Sequence, residues 1–284
     1  MNSGNNCRIG IGSFAYRYAI GFKDFKPAEP MDVFDFIRQA DQLGFAGVQL
    51  CENLGYAGLT EKELEKVREE AARLGLFIEL GMKNLSRETL RKHIRIGKIL
   101  SVDFLRVVIG NNIPADKKNY SKECSEILEI LRASLPELKK EGIKLGLENH
   151  FDLPSAGLYR VVKGLDDDHI GLIFDTTNCL GFTEKPIDVF NLFKPYLFSV
   201  HLKDYYIKKI EAGYMMTGAV LGAGWLNTKK MIKESLYNEL CSSIIIEMTT
   251  RRDMSKTQEE ILVWENNAIK ASKSYLDECI KECL

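Results

Sequence analysis

Four residues with metal-binding side chains each stand at the end of a short β-branched run. Glu148 closes I-K-L-G-L-E, Asp175 closes G-L-I-F-D, His201 follows F-S-V, and Glu247 closes S-I-I-I-E. A strand that ends in a carboxylate or imidazole presents it at its C-terminal edge, and four such strands side by side bring their ligands onto one divalent cation. Mixed oxygen and nitrogen donors suit Mn²⁺, Mg²⁺, Co²⁺ or Zn²⁺, with Mn²⁺ as the first expectation, and argue against a thiolate-rich structural zinc site. For any one residue, a helix cap or an ordinary ion pair is an equal explanation. All four share one strand parity and one strand end, and buried acids must be paired or bind metal, so a common cation is the stronger reading.

The elements that must position these ligands repeat along the whole chain. Apolar runs recur at 9–13, 46–51, 77–82, 104–109, 143–148, 170–175, 197–203 and 243–248, separated by stretches with helical periodicity. Thr60-Glu-Lys-Glu63 reads as a capping box, Ser86 precedes a second periodic stretch, and Gly142 stops a helix over 121–141. Further helices are expected near 31–43, 155–164, 186–193, 227–240 and 256–280. Eight consecutive βα units without a boundary predict one α/β domain over 1–284, a closed parallel (β/α)8 barrel. An open doubly wound sheet is the alternative, but Gly10-Ile-Gly12 alone makes no dinucleotide fingerprint. One strand parity is uniformly apolar, for example Val48/Leu50 and Leu172/Phe174, and is expected to face the helices. The other parity is small or polar (Gly10/Gly12, Gln49/Cys51, Glu79/Gly81, Arg106/Val108) and contains all four ligands. A purely structural barrel would favour branched aliphatics there, so this interior requires a partner.

Composition narrows the classes. Thirty-nine basic and 40 acidic residues leave a net charge of −1, which gives no global pull toward nucleic acid or an anionic membrane. No apolar run approaches the roughly 18 residues of a membrane span, and Met1 to Asn6 lacks the apolar core of a signal peptide. Seven cysteines without tight CxxC spacing fit reduced thiols and a cytoplasmic location.

The segments E-N-H, F-D-T-T-N, V-H-L-K-D and I-I-I-E resemble the signature segments of the xylose-isomerase-like TIM barrels, in the same order along the chain. That superfamily includes sugar isomerases, ketose 3-epimerases, inosose and 3-dehydroshikimate dehydratases and endonuclease IV. The resemblance implies that Glu148, Asp175, His201 and Glu247 bind the metal, and that Glu148 and Glu247 also shuttle protons on opposite faces of an enediolate. It thus implies an isomerase or epimerase of a small sugar or sugar phosphate. Independently, removing a proton α to a carbonyl needs a Lewis acid for the oxyanion and a carboxylate within reach of the carbon. The endonuclease branch would need more histidines at strand ends than this chain offers, since His93 and His169 lie elsewhere.

Several other residues are candidates around the mouth. Strand parity returns His150 to the ligand side, and in related lyases a histidine at the matching place resembles a general base. A metal-dependent lyase or dehydratase of a keto-sugar or keto-cyclitol is therefore the alternative. Asn178 departs from the histidine of many epimerases, but it can hydrogen-bond a sugar hydroxyl. Lys203 is a candidate substrate contact, or else a support for the ligands together with Asp204. The segment from Asp204 to Asn227 reads as a long aromatic loop suited to a lid, with Trp225 against the substrate, or alternatively as a subunit contact in a homo-oligomer. Gly222-Ala-Gly224 could offer amides to a phosphate, Arg251 could clamp an anion, and Glu52 could line the rim. Glu79 and Arg106, at similar depth on adjacent strands, are expected to form a buried structural ion pair.

Overall fold

The computed structural model describes residues 7–110 and 119–283. The N-terminal hexapeptide lies outside them. Eight parallel strands close into a barrel: β1 (Arg8–Gly12), β2 (Gly47–Leu50), β3 (Phe77–Lys83), β4 (Phe104–Val108), β5 (Lys144–Glu148), β6 (Ile170–Asp175), β7 (Leu197–Leu202) and, after a separate hairpin, β10 (Ser243–Ile246). The hairpin consists of β8 (Asp204–Ile210) and β9 (Gly213–Ala219), and β10 closes the ring between β7 and β1. Helices follow each barrel strand and pack on its outward side chains. Val48, Leu50, Leu105, Val107, Leu145, Leu147, Leu172, Phe174, Val200 and Leu202 are all buried in that layer.

Local chemistry fixes several helix starts. Asp32, Thr60 and Ser86 each accept from the amide three residues on, and the residue there returns the bond, forming three reciprocal caps. Gly142, with φ of 67°, ends the helix Ser121–Glu141 in the left-handed region.

The barrel interior has two floors. At the bottom, Phe104, Ile173 and Phe198 form a separate apolar plug. Inward positions there are glycines because rings fill the space: a Cβ on Gly171 would lie 2.4 Å from the Phe198 ring and one on Gly47 2.3 Å from Phe77. Phe198 turns inward through a bulge, since Leu172 pairs with Leu197 but Ile173 already pairs with Ser199. Above this plug the interior becomes polar.

The short helix Arg17–Ile20 that follows β1 is tied to the C-terminal helix Gln258–Cys283 by Glu265, whose carboxylate accepts the amides of Tyr18 (2.8 Å) and Ala19 (2.9 Å). Burial pushes this carboxyl up to about 7, although the two amides pull the other way. Its folded pKa therefore lies above the unfolded value, so its contribution is fully present below the unfolded pKa and is lost as pH rises through about 7. Between about pH 4 and pH 8, wild type should lose about 3 kcal/mol relative to Glu265→Gln in urea unfolding. Parallel pH profiles for the two proteins would refute this.

Candidate active site

The four strand-end ligands meet. Glu148 and Asp175 are the last residues of β5 and β6, His201 is the penultimate residue of β7, and Glu247 follows the last residue of β10. Asp175 and His201 are register partners, and the Glu247 amide bonds to Leu202 O at 3.1 Å, which levels the four at one barrel end. Each offers a ligand atom within 4.8 Å of the others, and all four residues are buried.

The neighbouring backbone aims them. Asn149 brackets Asp175, accepting its amide (2.7 Å) and donating to its carbonyl (2.9 Å). Asp175 Oδ1 then accepts the amides of Thr177 and Asn178, both at 2.9 Å, so Oδ2 is left facing the centre. Asn178 Nδ2 donates to Glu148 Oε1 at 3.1 Å.

Two cations hold the acids in their charged form. The Arg106 guanidinium, on β4, makes a short ion pair with Glu148 Oε2 and lies 3.9 Å from Glu247 Oε1. Lys203 Nζ stands 2.5 Å from Asp175 Oδ2 and 2.6 Å from Glu247 Oε2. Burial alone would raise both glutamates. Arg106, His201 and Lys203 outweigh it at Glu148, and hold that carboxyl well below the usual range. Lys203 and His201 lower Glu247 in the same way. Burial would lower His201, but the two glutamates raise it.

Beneath the ligands, His201 Nε2 lies 3.1 Å from Gln49 Nε2, which donates to Glu79 Oε2 at 3.0 Å. The expected Glu79–Arg106 ion pair is therefore corrected. Arg106 is the register partner of Gly81, not of Glu79, so barrel stagger lifts Arg106 one layer to the ligands and leaves Glu79 below with Gln49. Burial raises the Glu79 carboxyl, as expected for an acid without a cation against it.

Above the ligands a cavity of about 440 Å³ opens to solvent. Arg17, Glu52, Lys83, His150, Asn178 and Lys203 are among its lining residues. His150 lies at the rim, with Nδ1 3.5 Å from Asp152 Oδ2. Of the residues expected at the mouth, Arg251 and Trp225 are not brought to this cavity. Thr250 bridges to Gly218 and carries the chain past the hairpin, so Arg251 lines an outward groove, with Nη1 3.7 Å from Met215 Sδ. Trp225 is 65% exposed. The segment read as a loop is largely the β8–β9 hairpin, and it contributes Tyr205, Met216 and Thr217 to the cavity wall.

The glycines proposed for phosphate serve another anion. The Asp204 carboxylate accepts the amides of Tyr205, Gly222, Gly224 and Leu226 at 2.8–3.1 Å. A Cβ on Gly224 would lie 2.1 Å from Asp204 Oδ1, so only glycine allows the wrap. Sequence reading missed Arg17 and Lys83 in the wall. Arg17 follows β1 through a 3-10 turn that no periodicity announces, whereas Lys83 ends β3 on the inward parity of Glu79 and Gly81 and was legible there.

Residues 37–278 match the family described as xylose isomerase-like TIM barrel. The chain belongs to this family. It is similar to the 3-oxo-isoapionate decarboxylase of Pectobacterium atrosepticum, with 26% identity over 262 residues, 92% of this chain and 88% of that protein. Its fold matches a solved D-psicose 3-epimerase crystallised with D-fructose, with a TM-score of 0.70 and 15% identity over 95% of this chain and 99% of the other. It also matches a xylose isomerase-like TIM barrel protein from Mycobacterium smegmatis in complex with magnesium, with a TM-score of 0.65 and 17% identity over 96% and 100% of the two chains. The proteins it resembles thus include an epimerase, in fold, and a decarboxylase, in sequence, and its own buried four-residue cluster could bind a divalent metal.

The residues fit such an ion on their own chemistry. Glu247 Oε1 is buried without a hydrogen bond, and the buried Asp175 Oδ2 and His201 Nδ1 face charged side chains, Lys203 Nζ at 2.5 Å and Glu148 Oε2 at 3.3 Å. As a ligand His201 would be neutral, and three carboxylates against one guanidinium and one ammonium would then leave a net negative charge, with donors that are all oxygen or nitrogen.

Proposed function

We propose that the protein is a divalent-metal-dependent enzyme that moves a carbon-bound proton of a small carbohydrate through an enediolate. The reaction proposed first is isomerisation or epimerisation of a sugar or sugar phosphate. The single observation that carries it is the cluster of four buried donors within 4.8 Å of one another, with the cavity above it. Glu148, Asp175, His201 and Glu247 would hold the cation, for which Mn²⁺ remains the first candidate and Mg²⁺ is supported by the magnesium complex of a relative. When bound, the cation supplies Lewis acidity toward the substrate's carbonyl and hydroxyl oxygens. Lys203, beside Asp175 and Glu247 and in the cavity wall, would with Asn178 meet substrate hydroxyls.

The two glutamates are not equivalent. Both oxygens of Glu148 are engaged, by Arg106 and Asn178, which leaves it the weaker base. Glu247 keeps Oε1 without a hydrogen bond and is the better proton acceptor. Two-faced epimerisation requires Glu148 to release a partner. That asymmetry, with the decarboxylase relative, supports a second reading as a lyase. Loss of CO₂ from a 3-oxo acid leaves the electron pair on the α carbon, delocalised into the ketone, and one proton donor then completes the product. His150 at the rim would serve that reading as the general acid–base group.

The test is incubation of the metal-loaded protein in D₂O with ketoses, ketose phosphates and 3-oxo sugar acids. Exchange of one C–H without loss of carbon is expected for the first reading, and CO₂ release with one deuteron incorporated for the second. His150→Ala should cost a lyase about 10²-fold or more in kcat, whereas an isomerase should mainly lose substrate affinity. Turnover of an accepted substrate without any deuterium entering carbon would sink both.

A further inference from the structure

The charged groups of the cavity wall can be accounted for one by one. Lys203 faces Asp175 and Glu247, and Arg106 faces Glu148, with Glu52 3.8 Å from its Nη1. Asp204 is consumed by four backbone amides. Arg17 is different. Among the described residues its guanidinium makes no hydrogen bond or ion pair, and its Nε is buried without a partner. Of the acids that act on it, Glu247 faces Lys203 at 2.6 Å and Glu265 spends both oxygens on the amides of Tyr18 and Ala19. The Arg17 guanidinium instead lies over the Phe22 ring, 4.7 Å from its centroid, and both residues line the cavity.

A half-buried cation without an anion against it carries a desolvation cost, and the ring face offsets only part of it. Burial accordingly lowers the Arg17 pKa from its ordinary value, while Tyr18, Glu247 and Glu265 pull it back up. Stacking also restricts the planar fork, so less freedom is lost when it grips a planar or tetrahedral oxyanion. Lys83, exposed on the same wall, adds a second positive charge without an ion pair among the described residues. With a divalent cation on the four ligands, every acid of the floor is neutralised and the wall is left electropositive.

We infer that Arg17, held by Phe22 and seconded by Lys83, binds an anionic group of the substrate, a carboxylate or phosphate on a small carbohydrate. The substrate is then a sugar acid or sugar phosphate and not a neutral sugar. This rests on the cavity being the substrate site, as in the function proposed above, and it extends that reading by naming Arg17 as a specificity-determining residue.

The experiment uses the full chain loaded with Mg²⁺ and NMR titration with D-erythronate, D-erythrose 4-phosphate and neutral D-fructose. Arg17→Met should weaken at least one anionic probe by about tenfold or more, the loss of one charge-assisted contact, and leave fructose within about twofold. Arg17→Lys should retain part of the affinity, since it keeps the charge and loses the fork. The probe that loses more distinguishes carboxylate from phosphate. Mg²⁺ affinity, titrated separately, should be the same in all three proteins. Unchanged anion affinity in Arg17→Met, equal losses for anions and fructose, or no binding of either anion by wild type would overturn the inference. Failure of wild type to bind Mg²⁺ would instead strike at the metal-dependent function. Should Arg17→Met fail to fold, Arg17→Gln replaces it, judged by the same criteria.

Discussion

Replacing Glu247 with glutamine is expected to lower kcat by about 10³-fold or more and to release most of the bound divalent metal. Glu247 contributes in two ways. It is one of the four donors, and it carries a buried oxygen, Oε1, without a hydrogen bond. The amide keeps the shape but removes the charge, so under the proposed function the centre would lose a ligand and the substrate carbon its better base. Lys203, 2.6 Å from Glu247 Oε2, keeps only Asp175 as a close counter-charge. Metal content by mass spectrometry and D₂O exchange rates separate the two losses. Glu247→Asp should restore much of the metal and little of the turnover, because a shorter carboxylate can still ligate but no longer reaches the carbon. Full metal content together with wild-type exchange in Glu247→Gln would show that this carboxylate has neither role.

Arg106→Met should be the most destabilising single change at the site, by about 3–5 kcal/mol. Arg106 is 3% exposed and is the closest cation to Glu148, which is itself buried. Methionine fills much of the same volume but leaves a carboxylate without its cation in a dry setting. The pH dependence has a defined sign. Glu148 titrates well below its unfolded value in the native protein, so its contribution is full above the unfolded pKa, about 4.3, and is lost as pH falls below that. Arg106→Met removes the first of the positive charges that cause this shift. The difference in stability between the two proteins in urea should therefore be large near neutrality and shrink in acid. Added Mn²⁺ should raise the melting temperature of the variant more than that of wild type, since the ion supplies the missing positive charge. A loss below about 1 kcal/mol at neutral pH would place the pair among ordinary surface bridges and contradict the burial argument.

Much of this protein is decided by local pattern. Strand parity is a property of two-residue alternation, so the outward aliphatics and the inward Glu148, Asp175, His201 and Glu247 can be assigned from the chain alone. Eight βα repeats then leave few ways to bury those outward faces, and closure brings the four strand ends together. Caps such as Thr60/Glu63 depend on residues three apart and are equally legible. What the chain alone did not determine depends on the third dimension. The layer at which Arg106 sits follows from the stagger between β3 and β4, and parity is silent about stagger, which is why Glu79 was paired with the wrong neighbour. The Asp204 carboxylate gathers amides as far along as Leu226, and no short-range signal ties those positions. The hairpin carries its own alternation, but the bridge from Gly218 to Thr250 that turns Arg251 away exists only after folding. Arg17 reaches the cavity through a 3-10 turn after β1, and its lack of a counter-charge among the described residues is visible only in three dimensions. Ligand type and strand face are encoded by spacing, whereas charge pairing depends on which strands and turns become neighbours at which height, a property of barrel closure.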